Sequence, residues 1–360
     1  MDLEINSKKK QKSEVYSGVD LFKLIAAVLV VMLHVVERYN FFTAELKYTI
    51  TLFAVPFFFI ASGFFFCRGL NNTNDKKSYF IRYQKQLLQI FLIWAIIIYS
   101  PFIISSYIWN NPDAGIINIL LLLIRRIFII GPGPFWYIVS LIFSITILYL
   151  LHNKPKLIVL CMVLGFILQI VYTCFRGFTA QFEIINLINK MVYVVYSWEF
   201  NFIMYGVPFC GIGYFICKKE FRLNIKISFA IFIVSTLLRV LEYNLPYIFS
   251  NNDFFTDNAI TLAFIPQAVS YFMIAKELQV NISKECSFTL RKLSSFIYFL
   301  HMLLLNYILN PVLLEFLSDE VVYGVELIIP KVLIILFVCC GLFFIIKKIN
   351  NKYLNKLLNS

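Results

Sequence analysis

The first apolar segment of the chain, GVDLFKLIAAVLVVMLHVV, contains two ionisable side chains, Lys23 and His34. At about 100° per residue in an α-helix, they lie on nearly the same face and roughly 16 Å apart along the axis. A charged group at membrane depth costs several kcal/mol unless it meets a partner or a wet cavity. An imidazole can take the proton of a hydroxyl that attacks an acyl group. We therefore predict that this face carries a cation at one end and a general base at the other.

Three further ionisable side chains, Arg239, Glu242 and His301, lie in later apolar segments. Arg239 and Glu242 are close enough on one helix to pair with each other, and the alternative is that they orient His34 or an acceptor. His301, in SSFIYFLHML, either lines the same site or links helices by hydrogen bonds. The catalytic candidates are thus His34 and Glu242, with Arg239 and His301 as supporting residues.

Weaker candidates are Ser62, Trp136 and Tyr137. Ser62 precedes a glycine in the second apolar segment, where small residues permit close helix packing, and a role at the acceptor site is the alternative. Trp136 and Tyr137 begin a later segment, where they belong either to an aromatic belt at the membrane surface or to the acceptor site. The remaining histidine, His152 in HNKPK, is interpreted as a solvated loop residue.

The composition is that of a polytopic membrane protein. The chain is 60% hydrophobic and 14% charged, and its mean hydropathy is +0.80. Its net charge of +12 arises mostly from short basic clusters between apolar segments, which mark the cytoplasmic side of a membrane and do not indicate a nucleic-acid partner. The eight cysteines have neither zinc-ligand nor disulfide-framework spacing, so we expect no metal.

Hydropathy predicts an all-α protein with about ten transmembrane helices and the lipid bilayer as its surroundings. Basic residues fall in alternate connections, so we expect both ends in the cytoplasm and a multi-pass protein of the cell membrane. The predicted spans are 19–38, 48–69, 84–107, 135–151, 156–174, 200–217, 225–243, 258–276, 293–311 and 325–346.

One membrane domain, residues 19–346, is predicted between a basic N-terminal segment, 1–18, and a basic tail, 347–360. The stretch 115–130 is apolar, but it carries Arg125 and Arg126 on the expected outer side. We interpret it as an interfacial or re-entrant helix, because a true span would invert every later segment and place the basic clusters outside.

Four segments in this order resemble the acyltransferase family 3 membrane proteins: GVDLFKLIAAVLVVMLHVV, VPFFFIASGFFF, FWYIVSLIFSITIL and RKLSSFIYFLHMLLL. That family includes bacterial O-acetyltransferases of surface polysaccharides and peptidoglycan. It also includes the membrane portion of serine racemases linked to vancomycin resistance, which the chain resembles most. The resemblance extends over nearly the whole chain.

The resemblance implies that His34 is the catalytic imidazole and that Lys23 contacts an acyl-CoA donor. Relatives usually carry arginine at the position of Lys23, and lysine lacks the planar bidentate fork of arginine. Arg82 and Lys85 stand where related proteins have a cationic pair that opens the third span. They are therefore candidates for acyl-CoA binding, although they also suit cytoplasmic topology markers.

The sequence thus predicts a membrane O-acyltransferase that moves an acetyl group from cytoplasmic acetyl-CoA to a hydroxyl or amine at the outer side. The acceptor is a cell-envelope component or a small molecule that the sequence does not name. The alternative function is a transporter of serine or a glycan precursor that uses buried Arg239, Glu242 and His301. Against it, the sequence shows no inverted repeat of the kind transporters use.

Overall fold

The computed structural model describes residues 16–36, 46–113, 115–124, 135–174, 183, 202–248, 262–349, 351 and 355–358, and within these ranges all regular structure is helical. The all-α prediction is therefore confirmed for the described part of the chain. The α-helices are α1 Ser17–Val35, α2 Ala54–Asn71, α3 Lys76–Phe91, α4 Ser100–Asn110, α5 Ile116–Ile124, α6 Phe135–Leu150, α7 Pro155–Cys174, α8 Val207–Lys218, α9 Ile225–Ile248, α10 Phe264–Glu277, α11 Lys284–Leu303, α12 Asn310–Phe316, α13 Asp319–Val322, α14 Ile328–Ile349 and α15 Asn355–Leu358.

Several of these helices are joined end to end by π-helical turns, in which the backbone carries one extra residue per turn. The π segments described are Leu46–Thr51 before α2, Leu92–Tyr99 between α3 and α4, Phe202–Gly206 before α8, and Leu304–Leu309 between α11 and α12. Each one forms part of a longer continuous helix, and three of these helices, Lys47–Asn71, Lys76–Trp109 and Lys284–Phe316, are long enough to span a membrane.

Each of the roughly ten predicted spans overlaps a helix of the structure. In the described ranges five helices are long and apolar enough by themselves to cross a bilayer: Ser17–Val35, Lys47–Asn71, Lys76–Trp109, Lys284–Phe316 and Val325–Ile349. Residues 116–124 of the questioned stretch are helical, whereas Arg125 and Arg126 lie outside the described residues. The count of ten passes and the orientation of both ends stay predictions.

The outer surface of the helix assembly is apolar, as expected for contact with lipid. Phe337 and Ile329 on α14 are 82% and 69% exposed, and Leu237 and Leu241 on α9 are each 60% exposed. Exposure of such side chains to water costs roughly 25 cal/mol per Å² of apolar surface. A bilayer removes this cost, so the surface is that of a membrane protein.

The second and eighth helices make backbone contact through glycine. Gly63 of α2 lies against the backbone of Cys210, and Gly213 of α8 lies against the carbonyl of Ile60. A methyl group at either position would collide with the facing backbone. Since burial of apolar surface does not drive association between helices in lipid, such close packing of small residues is a main source of stability there.

Substitution of Gly63 by alanine should therefore separate α2 from α8. We expect Gly63→Ala to lower the free energy of unfolding by about 1–3 kcal/mol, the usual cost of overpacking. The measurement is the midpoint of thermal unfolding of the purified protein in detergent. Gly341→Ala on α14 is the matched control, because no atom of the described residues lies within 4 Å of the new methyl group. Equal midpoints for the two variants would contradict this packing argument.

Candidate functional site

The centre of the candidate site is a pair of histidines on two parallel helices. α1 and α11 pack closely together, and their C-terminal ends bring the ring centroids of His34 and His301 to 5.2 Å, with an interplanar angle of 37°. His301 is fully buried, whereas His34 is partly exposed. Two of the sequence candidates are therefore neighbours, although 267 positions separate them in the chain.

The hydrogen bonding of His301 assigns its tautomer. Its Nδ1 lies 3.1 Å from the carbonyl oxygen of Ile297, which can only accept, so Nδ1 carries the proton. In the neutral ring Nε2 then has a lone pair, and this buried atom has no hydrogen-bond partner among the described residues. The site thus contains a buried nitrogen that can accept a hydrogen bond and has no partner among the described residues.

A tyrosine hydroxyl fixes the backbone beside His301. The Tyr99 hydroxyl donates to the carbonyl of Phe299 at 2.7 Å and accepts from the amide of Leu303 at 3.0 Å. In a regular α-helix the amide of Leu303 would donate directly to the carbonyl of Phe299, four residues earlier. The Tyr99 hydroxyl is inserted between these two backbone groups and bonds to both. The π segment Leu304–Leu309 begins at the next residue. Tyr99 was not a sequence candidate, because nothing local distinguishes it from the other tyrosines.

Ser62 and Tyr137 hydrogen-bond to each other, with 3.1 Å between the two hydroxyl oxygens. The Tyr137 ring is buried and lies 5.4 Å from the ring of Tyr298, which in turn lies 6.1 Å from that of His301. Tyr137 therefore belongs to a layer of packed aromatic rings that ends at His301. It is not a residue of a lipid-facing aromatic belt. Trp136 packs against Phe59 at a centroid distance of 6.1 Å.

Arg239 and Glu242 each contact an element outside their own helix. Arg239 is buried and donates to the carbonyl of Tyr48, in the π segment before α2. Both carboxylate oxygens of Glu242 lie 3.3 Å from the amide nitrogen of Ala263, just before α10. Gln267 binds the next carbonyl of that π segment, Thr49, at 2.9 Å. These contacts satisfy backbone groups that lipid cannot, which favours a role in holding helices together around the site.

A charged cluster lies at the opposite end of the α1 and α11 pair. Of its residues, only Lys23 was a sequence candidate. The carboxylate of Asp20 is fully buried and accepts from Nε and a terminal nitrogen of Arg291, both at 2.8 Å. It also accepts from the Ser287 hydroxyl at 2.6 Å. The Lys23 ammonium lies 4.9 Å from the centroid of the Phe65 ring. Neither Asp20 nor Arg291 was a sequence candidate, although an acid inside the first apolar segment indicates that a cation lies nearby.

Arg82 and Lys85 are exposed on α3, and the Arg82 guanidinium lies 5.8 Å from the Tyr79 ring. α3 is attached to α6 through Gln84, whose side-chain nitrogen lies 3.1 Å from the carbonyl of Ile142 and 3.0 Å from the hydroxyl of Thr146. A role for the two cations in donor binding is a proposal. Within the described ranges, no group of three or more potential ligand side chains is arranged to hold a metal ion.

A sequence model described as an acyltransferase domain matches residues 16–355. The chain belongs to acyltransferase family 3. Two similar proteins of Enterococcus faecalis are each named amino-acid racemase. One is 27% identical over 222 residues, which cover 60% of this chain and 30% of the racemase, and the other is 28% identical over 224 residues, which cover 58% and 29%. The chain therefore spans less than a third of these relatives' length. No solved structure matches this chain.

Membership of the family confirms the predicted resemblance and supports a membrane acyltransferase in general terms. The family match begins at residue 16 and includes both ends of the α1 and α11 pair. The histidine pair and the Asp20 cluster thus lie inside the acyltransferase domain.

Removal of the Tyr99 hydroxyl tests its place in α11. We expect Tyr99→Phe to lower the free energy of unfolding by about 1–2 kcal/mol, because two buried hydrogen bonds are lost while the ring is kept. The measurement is thermal unfolding in detergent. Tyr107→Phe is the control, since its hydroxyl makes no hydrogen bond to another described residue. A Tyr99→Phe protein as stable as this control would show that the inserted hydroxyl contributes nothing.

Proposed function

We propose that this acyltransferase moves an acetyl group from cytoplasmic acetyl-CoA to a hydroxyl or amine at the outer side of the membrane, with His34 as general base. The observation that carries the proposal is the pairing of His34 with His301. A partly exposed imidazole beside a buried acceptor nitrogen is an arrangement suited to proton transfer.

The proposed reaction uses His34 as the residue that contacts the attacking group. The acceptor oxygen or nitrogen attacks the thioester carbonyl while its proton passes to a nitrogen of His34. The carbon–sulfur bond then breaks, and the CoA sulfur leaves as a thiolate that takes this proton from His34, which gives the thiol and restores the neutral imidazole. His301 keeps its own proton on Nδ1, and its Nε2 lone pair orients the ring of His34 or the acceptor.

Donor and acceptor are proposed to enter from opposite ends of α1. Lys23 and His34 lie roughly 16 Å apart along the helix axis. Coenzyme A has its phosphates at one end and its thioester at the end of a long flexible arm, which matches a cation far from the base. The basic connections of the sequence favour a cytoplasmic position for the Lys23 end.

The acceptor is proposed only by class, as a cell-envelope component or a small molecule with a hydroxyl or amine. The similar proteins are named amino-acid racemases, but the chain covers about 30% of their length. A comparison of cell-envelope acetylation by mass spectrometry, in cells with and without the protein, would identify the acceptor.

The general-base assignment predicts that His34→Ala lowers the turnover of acetyl-CoA by at least about 100-fold, the usual contribution of a positioned base. Turnover is measured as the release of free CoA thiol by the purified protein in nanodiscs. His152→Ala is the matched control, because that ring bonds to the carbonyl of Tyr149 in a turn between α6 and α7. Full activity in the His34→Ala protein would refute the assignment.

A second variant pair tests the role of His301. Glutamine offers an oxygen acceptor near the position of Nε2 but cannot take a proton at neutral pH. If His301 acts only through its lone pair, His301→Gln should retain several-fold more turnover than His301→Ala in the same thiol assay. Equal losses in both variants would instead indicate that His301 itself accepts the proton.

The alternative function, transport of serine or a glycan precursor, is less well supported. Arg239 and Glu242, which would line its pathway, are engaged by the backbone groups of Tyr48 and Ala263. Uptake of labelled serine into proteoliposomes, independent of coenzyme A, would favour a transporter over the acyltransferase.

A further inference from the structure

We infer that Arg291, held by the buried carboxylate of Asp20 and assisted by Lys23, binds the phosphate groups of the CoA donor. This inference rests on the proposed function and adds to it a binding residue and a positioning residue, Arg291 and Asp20.

The geometry of the Asp20 and Arg291 pair leaves one edge of the guanidinium available. The carboxylate of Asp20 engages Nε and one terminal nitrogen, each at 2.8 Å. The other terminal nitrogen carries two N–H donors, and no bond from it to another described residue is found. Because the carboxylate fixes the plane of the guanidinium and the Ser287 hydroxyl in turn holds the carboxylate, these donors are already oriented before a ligand arrives.

The charges in the cluster do not balance. Asp20 is the one carboxylate in contact with Arg291 among the described residues, and Lys23 adds a second cation nearby. The Lys23 ammonium contacts the face of Phe65 and has no hydrogen-bond partner in the described ranges. A purely structural ion pair needs no second cation, whereas a site for a multiply charged anion does.

The side chains of Asp20 and Arg291 also differ in their exposure. The side chain of Asp20 is 0% exposed, while that of Arg291 is 37% exposed. The carboxylate is therefore inaccessible to any ligand, whereas the side chain of Arg291 is partly exposed and its guanidinium lies 5.0 Å from the Phe288 ring centroid. Arginine keeps its charge at every physiological pH, and its planar donors suit phosphate oxygens.

The two helices repeat the same order of groups. On α1 a cation precedes a histidine by roughly 16 Å, from Lys23 to His34, and on α11 the rise from Arg291 to His301 is roughly 15 Å. Since the helices are parallel, both cations lie at one end and both imidazoles at the other. A donor with phosphates at one end and a thioester at the other fits along this pair.

The test is binding of coenzyme A, 3′-dephospho-CoA and pantetheine to the purified protein in nanodiscs by calorimetry. We expect Arg291→Gln to weaken the binding of coenzyme A at least about tenfold, because one charge-assisted contact is lost. Pantetheine, which lacks the diphosphate, should bind the variant and the wild type equally. If dephospho-CoA is affected as strongly as coenzyme A, the contact is with the diphosphate, and a smaller effect assigns it to the 3′-phosphate.

Controls separate binding from folding. Lys284→Gln removes an exposed positive charge from the start of the same helix and should leave the affinity unchanged. Arg291→Gln leaves a buried carboxylate without its ion pair, so the double variant Asp20→Asn with Arg291→Gln is needed, and it should show the same loss of affinity. If that protein does not fold, Arg291→Lys keeps the charge without the fork and should bind several-fold more weakly than the wild type.

Kinetics distinguish this inference from the proposed function. Loss of Arg291 should raise the KM for acetyl-CoA with little change in kcat, whereas loss of His34 should lower kcat. Wild-type affinity for coenzyme A in the folded Arg291 variants would overturn the inference and leave the acyltransferase proposal standing. A wild-type protein that neither binds coenzyme A nor releases thiol would overturn both.

Discussion

The arrangement of the site depends on one ion pair, that between the buried carboxylate of Asp20 and the partly exposed Arg291. A carboxylate with no exposed surface is stable only if a cation and hydrogen-bond donors surround it, and here a guanidinium and a serine hydroxyl do so. This requirement ties the start of α1 to the first half of α11. Together with the contact between His34 and His301 at the other end, it defines two parallel helices.

Other small and polar residues join the surrounding helices. Backbone contact at Gly63 joins α2 to α8, and the Tyr99 hydroxyl is inserted into α11 directly beside His301. Arg239 and Gln267 bind carbonyls of the π segment before α2, which lipid would leave unsatisfied. Some polar side chains inside this protein thus complete the hydrogen bonding of the backbone. Others, such as His301 with its Nε2, keep an atom that has no hydrogen-bond partner among the described residues.

Hydropathy was sufficient to locate the helices, because lipid requires each apolar segment to bond its own backbone. Hydropathy did not predict where the helices end or where they become π-helical. The π segment Leu46–Thr51 has carbonyls that accept from Arg239 and Gln267 of other helices, and no local pattern indicates those partners. The same limit applied to Tyr137, whose position in the sequence suggested the membrane surface but whose ring is buried against Phe59 and Tyr298.

The sequence alone determined that the protein is helical, lies in a membrane, and carries a cation and an imidazole on one face of its first helix, since composition and helical periodicity are local properties. Only the tertiary structure decided which partner each group meets. From the sequence, His301 either linked helices or lined the site, and the structure places its ring beside that of His34. Nothing in the sequence pairs Arg291 with Asp20, and the structure brings them together. Both contacts join residues more than 260 positions apart, and such contacts depend on how whole helices pack.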